Sequence, residues 1–320
     1  MYMDVVGVGY PVQDMLVRIE QIPKARVHVL SKILSSSWQG GGMVSTGLAA
    51  ASVLGARAGI IGVVGGDLYG KACINDFKMN GVDTSHLYVD EEGTTNYTIV
   101  LTETYTKERC FVANDGSKRN LKAEELDEAY ISQAKYLLVT EMDEISIKAA
   151  IIARANGVKV VIDADLYEKR TMDNIELIDV FICSEEFYQG MFEDEDYIGH
   201  CREIQAMGPE VALVTLGDKG CRGVYKDTVI DQKAFTEIDV VDTNGAGDVF
   251  HGAFIYGMLQ GWEPEYIARF ASAVSAIKCT RQGGRAGIPD AETTRKFLET
   301  GVIDYTEIDK RVDIYKKGLF

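Results

Sequence analysis

The fold of this 320-residue chain is decided by the stretch Val241-Asp242-Thr243-Asn244-Gly245-Ala246-Gly247-Asp248-Val249-Phe250. An apolar run ends at Val241, a glycine-rich turn follows, and apolar residues then recur at helical spacing as far as Phe254. The first backbone N–H groups of a helix have no intrahelical acceptor, and the helix dipole places positive potential beside them. The turn is therefore predicted to bind an anion.

A carboxylate, Asp248, stands in the first turn of that predicted helix. As a purely structural residue it would do no more than interact favourably with the helix dipole. Inside an anion site, however, a carboxylate suits a reaction in which a phosphoryl group is transferred and an acidic group accepts a proton. We interpret the turn as part of a phosphoryl-transfer site with Asp248 as its base.

Short apolar runs alternate with helical segments along most of the chain, which is typical of an α/β domain built on a parallel sheet. We predict one domain over residues 1–320, a three-layer sandwich with a mainly parallel central sheet flanked by helices. The predicted strands include residues 5–8, 58–64, 136–139, 158–162, 180–182 and 211–214, and the predicted helices include 44–54 and 69–79.

One segment departs from this alternation. Residues 94–101 and 108–112 have strand-type compositions and are joined by a polar turn at 103–107 without a helix, which predicts an antiparallel hairpin. Two further strand-like pieces, 14–19 and 27–30, flank Pro23. We expect the two regions, about 12–38 and 94–114, to form a small β-sheet lid.

Composition restricts the partners and the compartment. The formal net charge of −16 argues against nucleic acids and anionic membranes as partners. The six cysteines form neither a C-x-x-C pair nor a zinc spacing, as is typical of reduced thiols in the cytoplasm. The N-terminus lacks a basic signal-peptide region, and no apolar run is long enough to span a bilayer, so we predict a cytoplasmic protein.

The C-terminal motif Asp242-Thr243-x-Gly245-Ala246-Gly247-Asp248-x-Phe250 resembles the signature of the ribokinase-like carbohydrate kinases, the PfkB family. Other stretches that resemble this family follow in its order along nearly the whole chain. They are Gly41-Gly42, Leu54-Gly55-Ala56, Val64-Gly65-Gly66-Asp67-x-x-Gly70, Gly81-Val82-Asp83-Thr84, Thr215-Leu216-Gly217-x-Lys219-Gly220 and Gly287-Ile288-Pro289. The resemblance implies an ATP-dependent phosphotransferase that phosphorylates a hydroxyl of a small ribose-, fructose- or related ketose-like sugar.

The resemblance assigns catalytic roles to the C-terminal motif. Asp248 would be the general base that accepts the proton of the sugar hydroxyl as its oxygen attacks the γ-phosphorus. Gly245, Ala246 and Gly247 would supply the N–H groups that hold the developing charge of the phosphoryl group.

The resemblance also implies which residues bind the sugar. Asp14 follows the first predicted strand, where open α/β sheets bind ligands, and would accept sugar hydroxyls. Gly41 and Gly42 would line the sugar pocket. Thr46 stands where the family usually has an asparagine, and its shorter side chain leaves the identity of the sugar open.

The cofactors implied by the resemblance are ATP and Mg²⁺, with a monovalent cation such as K⁺ as a further candidate. Thr215, Gly217, Lys219 and Gly220 would contact the nucleotide, and Asp242 would lie near the monovalent cation.

The stretch Ser184-Glu185-Glu186-Phe187 departs from the Asn-x-x-Glu motif with which the family handles magnesium. Glu185 and Glu186 are the candidates to replace it.

Three alternatives remain. The first is a nucleoside kinase on the same fold, with Tyr97 or Phe111 stacking on a base. The second is a sugar- or nucleotide-binding relative without turnover, which the intact Asp248 turn disfavours. The third is a nucleotide-dependent dehydrogenase, whose fingerprint lacks its third glycine after Gly7-x-Gly9. For the favoured function we expect sugar and ATP as small-molecule partners, no nucleic acid, no membrane, and a homodimer formed through the lid.

Overall fold

The computed structural model describes residues 2–23, 30–106 and 109–318. In chain order its strands are β1 (Val5–Val8), β2 (Val12–Ile19), β3 (Ile33–Gly41), β4 (Ala58–Gly65), β5 (Asp83–Asp90), β6 (Tyr97–Glu103), β7 (Arg109–Asn114), β8 (Tyr136–Val139), β9 (Lys159–Ala164), β10 (Val180–Ser184), β11 (Val211–Thr215), β12 (Cys221–Tyr225) and β13 (Thr228–Gln232). Its helices are α1 (Met43–Leu54), α2 (Leu68–Met79), α3 (Glu128–Ile131), α4 (Glu144–Ala155), α5 (Lys169–Asp173), α6 (Glu185–Gln189), α7 (Tyr197–Ala206), α8 (Ala246–Leu259), α9 (Pro264–Lys278), α10 (Ala291–Thr300) and α11 (Thr306–Lys317).

Across the described ranges, nine strands form the central sheet in the order β13-β12-β11-β10-β9-β8-β1-β4-β5. The strands from β11 to β5 run parallel, and β12 and β13 add an antiparallel edge. Successive residues of a strand point to opposite faces, so Val5 packs with α1 and α8 on one face while Val6 packs with α4 on the other. The predicted three-layer α/β architecture is confirmed.

A second, four-stranded sheet has the order β3-β2-β6-β7 and is called the small sheet below. The strands β6 and β7 form the predicted antiparallel hairpin, whose turn includes residues 107 and 108 outside the described ranges. Of the strand predicted at 27–30, residues 27–29 also lie outside those ranges. The described partners of β2 are β6 and β3, and β3 is a serine- and glycine-rich segment that pairs with β2 along nearly its whole length. The sequence did not indicate this strand, because serine and glycine have low strand propensity. The segment forms a strand because it pairs with β2.

The chain after Thr300 ends in α11, which packs on the body of the protein through Ile308 and Tyr315, both buried. In the described part of the chain, no helix combines the length and the apolar character that a bilayer crossing requires. The carboxyl ends of β9, β10 and β11 and the start of α8 open towards the small sheet, and the candidate site lies there.

Candidate active site

Two clefts, each of about 520 Å³, meet at the turn that begins α8. The first lies between the small sheet and the carboxyl ends of the parallel strands, and the second lies beside β11 and the C-terminal half of α9. Both are lined by Thr215, Thr243, Ala246 and Gly247. A ligand in one cleft and a ligand in the other would therefore approach each other over this turn.

The turn itself is shaped by Gly245, the N-cap of α8, whose φ of 74° lies in the left-handed region that favours glycine. The first bond of the helix runs from the Val249 N–H to the Gly245 carbonyl, 3.0 Å away. Gly247 and Asp248 come before Val249 in the chain, so their N–H groups have no acceptor within the helix. The predicted anion site is thus built from free backbone donors at the positive end of a fourteen-residue helix.

Asp248 lies in the first turn of α8 and lines the first cleft. Burial, followed by the nearby charge of Asp163, raises the pKa of Asp248 to about 7. A carboxylate with a pKa near neutrality can accept a proton at physiological pH.

Behind Asp248, His251 and Asp163 form a buried pair that the sequence analysis did not single out. The Nδ1 atom of His251 lies 2.8 Å from the Gly247 carbonyl oxygen and 3.4 Å from Asp163 Oδ2. Burial lowers the pKa of His251 and raises that of Asp163 to about 8. The turn of residues 242–248 that leads into α8 and is predicted to bind an anion is called the anion turn below. The His251 ring is held in place beneath this turn and supports its backbone.

The predicted sugar-binding residues lie in the first cleft together with Asp248. Asp14 comes from β2, Gly41 ends β3, and Gly42 leads into α1. Burial raises the pKa of Asp14 to about 7, and the negative charge of Asp248 contributes to the rise. The two carboxylates are therefore close enough to affect each other across the cleft.

Thr46 also lines this cleft, but its hydroxyl is already engaged. It accepts a hydrogen bond of 3.3 Å from Nε of Arg285, which also donates to the Gly41 carbonyl and forms a 3.0 Å ion pair with Asp76. Arg285 and Asp76 are almost wholly buried, at 1% and 0% exposure. The tyrosine hydroxyl of Tyr315 on α11 donates to the same carboxylate. A buried network thus connects α11 to the part of the first cleft that Gly41 and Thr46 line.

The predicted nucleotide-binding residues divide into two groups. Thr215, Gly217 and Gly220 line the second cleft, whose remaining wall is largely apolar. The ammonium of Lys219 is instead paired with Glu185 at 2.9 Å. Asp242 is buried behind the turn, where its carboxylate accepts the N–H groups of Asn244 and Gly283, each at 2.9 Å.

The four residues 184–187, which stand in place of the Asn-x-x-Glu motif, make different contacts in the structure. Ser184 caps α6 by accepting the Phe187 N–H at 2.9 Å, and Phe187 is fully buried among aromatic rings. Glu185 is engaged by Lys219, whereas Glu186 lines the first cleft together with Asp165. The described residues contain no cluster of three or more His, Cys, Asp or Glu side chains arranged as a metal site.

Sequence reasoning missed Asp163, Asp165, Arg285 and Lys278. The first two had a usable signal, since they directly follow the predicted strand 158–162 at the edge where parallel sheets bind ligands. Arg285 and Lys278 had none, because their partners lie more than thirty residues away along the chain.

Residues 35–291 match the family described as pfkB family carbohydrate kinase. The ribokinase of Haemophilus influenzae is 29% identical over 269 residues, covering 81% of this chain and 87% of that protein. The ATP-dependent ribose-1-phosphate kinase of Halopiger xanaduensis is 28% identical over 299 residues, covering 92% and 97%. The ribokinase of Arabidopsis thaliana, solved with ribose and ATP, has the same fold, with a TM-score of 0.78 at 22% identity and coverage of 93% and 99%.

Proposed function

This chain belongs to the pfkB family of carbohydrate kinases, and we propose that it transfers the γ-phosphoryl group of ATP to a hydroxyl of a small ribose-, fructose- or ketose-like sugar in the first cleft. One observation carries the proposal: Asp14 and Asp248 line the same cleft, and the turn with free N–H groups at the start of α8 lines it too. Sugar, base and transferred group would thereby meet at one place.

In the proposed reaction Asp248 is the general base. Its carboxylate accepts the proton of the sugar hydroxyl, the oxygen forms a bond to the γ-phosphorus, and the bond to the β-phosphate oxygen breaks to leave ADP. The free backbone N–H groups of Gly245, Gly247 and Asp248 would hold the negative charge of the transferred group, whereas the Ala246 N–H already donates to the Thr243 carbonyl at 3.2 Å. Asp14 orients the sugar by accepting hydrogen bonds from its other hydroxyls.

The second cleft would hold the nucleotide. Its apolar wall, which includes Ile238, Val240 and Phe250, suits a purine ring, and Thr215, Gly217 and Gly220 lie between that wall and the turn. Lys219 would reach the phosphates only after leaving Glu185, and Asp242 acts through the turn rather than by touching the nucleotide.

Magnesium fits the donors of the first cleft. Mg²⁺ prefers carboxylate oxygens and usually stays on the substrate phosphates, so a dedicated cage of side chains is not needed. Glu186 and Asp165 are the residues proposed to face it. When bound, the metal neutralises charge on the phosphate oxygens.

A nucleoside is the second candidate acceptor, and a specific residue favours it. Phe111 lines the first cleft from β7 and is 56% exposed, so its ring is available to stack on a base. Tyr97 is not available in the same way, because it packs on Tyr69 with ring centroids 4.8 Å apart.

We also propose that the chain forms one domain over residues 1–320 and that the small sheet is its lid, spanning about 12–38 and 94–114. Apolar side chains on the small sheet, including Ile33, Leu34 and Val112, are exposed and support a homodimer formed through the lid. The six cysteines are free and five are buried, which supports a reducing, cytoplasmic location.

The test is ADP release from ATP with a panel of acceptors: ribose, fructose, ribose 1-phosphate and adenosine. Turnover above the ATPase background with one of the sugars supports the proposal. Turnover with adenosine alone would establish the nucleoside kinase instead. If none of the acceptors increases ADP release while ATP still binds, the chain is a binding protein without turnover.

A further inference from the structure

Lys278, the last residue of α9, places a positive charge inside the protein. Its side chain is 0% exposed, and its Nζ donates hydrogen bonds to the backbone carbonyl of Asp242, at 3.1 Å, and to that of Asn244. Within the described ranges no carboxylate lies at ion-pair distance from this ammonium. Burying an unpaired charge is costly, so the surroundings of Lys278 point to a specific task.

The two carbonyls belong to the segment that forms the anion turn. In a trans peptide the C=O and the following N–H point in opposite directions, and the described residues contain no cis peptide. Since the Asn244 carbonyl is directed at Lys278, the N–H of Gly245 is directed away from it. The ammonium therefore fixes the orientation of the peptide that leads into the anion site.

A second contact holds the same segment from another direction. The carboxylate of Asp242 accepts the N–H groups of Asn244 and of Gly283, each at 2.9 Å. The backbone carbonyls are thus tied to α9 by Lys278, while the Asp242 side chain ties the turn to the loop after α9. The field of Lys278 also reaches the base, because its positive charge lowers the pKa of Asp248 against the effect of burial.

The resemblance to the pfkB family implies a monovalent cation such as K⁺ near Asp242. Backbone carbonyl oxygens are the ligands that such an ion takes in proteins. Here the carbonyls of Asp242 and Asn244 are already bonded to an ammonium of the same charge, so these oxygens do not fit an added ion. We propose that Lys278 is a built-in substitute for a monovalent cation, a positioning residue that makes the anion turn independent of K⁺.

This inference rests on the proposed function, in which the turn holds the transferred phosphoryl group. Its first test uses the wild-type protein in KCl, NaCl and choline chloride at equal ionic strength. The measurements are kcat with the best acceptor and, separately, the calorimetric Kd for a non-hydrolysable ATP analogue with Mg²⁺. We expect both values to agree among the three salts within about twofold, and an increase in affinity or kcat by K⁺ of about fivefold or more would overturn the proposal.

The second test replaces Lys278→Met, which removes the ammonium and retains an apolar stem. The Kd for the analogue should rise by about tenfold in choline chloride and should recover in part with K⁺ or NH₄⁺, which can bind between the freed carbonyls. Lys296→Met is the matched control, because that ammonium is 54% exposed and pairs with Asp304 on the surface.

The outcomes separate the two proposals. A Lys278→Met protein that binds the analogue as tightly as wild type in choline chloride would overturn the role of Lys278, and so would a loss of binding that neither K⁺ nor NH₄⁺ relieves in a folded variant. If the variant does not fold, the wild-type salt series still decides. A wild type that phosphorylates no acceptor but binds the analogue independently of K⁺ would contradict the proposed function alone.

Discussion

The carboxylate of Asp14 lies so close to the backbone of Gly41 that a Cβ at residue 41 would stand 2.4 Å from Asp14 Oδ2. The two residues belong to paired strands of the small sheet, with Val12 opposite Gly41 in the register. Glycine at this position leaves the room that the carboxylate occupies at the edge of the first cleft. The pairing of β2 with β3 therefore sets the position of the group proposed to bind the sugar.

Substituting Asp14→Asn should weaken sugar binding far more than ATP binding. A hydrogen bond to a charged acceptor contributes about 1.5–3 kcal/mol, so the sugar KM should rise roughly 10- to 150-fold. Steady-state kinetics with each substrate varied in turn measure both constants. Gly41→Ala should have the same selective effect, since the added methyl group displaces the carboxylate. Equal increases in the two KM values would place Asp14 outside the sugar site.

Substituting Asp248→Asn should leave the fold and ATP binding intact and lower kcat by about 10²- to 10⁴-fold, as for the loss of a general base. The amide has nearly the same shape but cannot accept the proton. The relevant measurements are kcat, with thermal unfolding and calorimetric ATP binding as controls. A variant with near-normal kcat would rule out Asp248 as the base.

The pH dependence of the reaction should reflect both carboxylates, because the pKa values of Asp14 and Asp248 are each raised to about 7. Both must be ionised, so kcat/KM for the sugar should fall by about tenfold or more per pH unit below neutrality. A profile that stays flat from pH 8 down to pH 5.5 would contradict this expectation.

The same raised pKa values predict how stability depends on pH. A carboxyl whose pKa is higher in the folded than in the unfolded state stabilises the fold at low pH, and this contribution is lost as the pH rises through the folded value. Asparagine does not ionise, so Asp248→Asn avoids the stability that wild type loses when this buried carboxyl ionises. The variant without ligands should therefore unfold at a higher temperature than wild type at pH 8.5, by about 2 °C or more. At pH 5 the difference should shrink, and a difference that grows on acidification would show that the sign is wrong.

Most of the architecture could be predicted from local patterns. Apolar runs such as 58–64 and 136–139 are strands in the structure, because burial on both faces of a parallel sheet leaves a strong signal. The family, the carbohydrate-kinase class and the layered fold predicted from the motifs are confirmed. The strand β3 was not predicted, since its serines and glycines become a strand only by pairing with β2.

The candidate site was predictable only in part, for a similar reason. Motif residues such as Asp248 can be recognised from their neighbours in the sequence. Lys278 and Arg285 instead contact carbonyls and carboxylates that lie far away along the chain. Nothing in the residues around Lys278 distinguishes it from a helix-terminal lysine that faces solvent. The roles proposed for all these residues remain predictions until the variants are measured.

The two glycines of the anion turn should respond differently to substitution. A Cβ at Gly247 would meet no atom within 4 Å and its φ is not in the left-handed region, so Gly247→Val should fold normally. Its side chain would project into the clefts that Gly247 lines and should reduce kcat by about tenfold or more. Gly245→Ala is the contrasting variant, because a φ of 74° and a Cβ only 2.9 Å from Gly284 should lower the thermal midpoint. If Gly247→Val loses stability while activity per folded molecule is unchanged, the glycine is merely structural.

The small sheet should open and close over the first cleft. The hairpin β6–β7 carries an exposed rim, with Phe111 56% and Val112 53% exposed, and such segments open at low free energy. Val100, in contrast, is 1% exposed and should mark the protected base of the hairpin. Hydrogen exchange of residues 97–103 and 109–114 should therefore be faster than that of β8 and β9 in the free protein. Bound sugar should slow hydrogen exchange of the hairpin, because the hairpin closes over the sugar. The closed state would also exclude the water that otherwise competes for the γ-phosphoryl group. Equal protection of the hairpin with and without sugar would exclude a moving lid, and a strictly monomeric mass in solution would exclude a dimer formed through it.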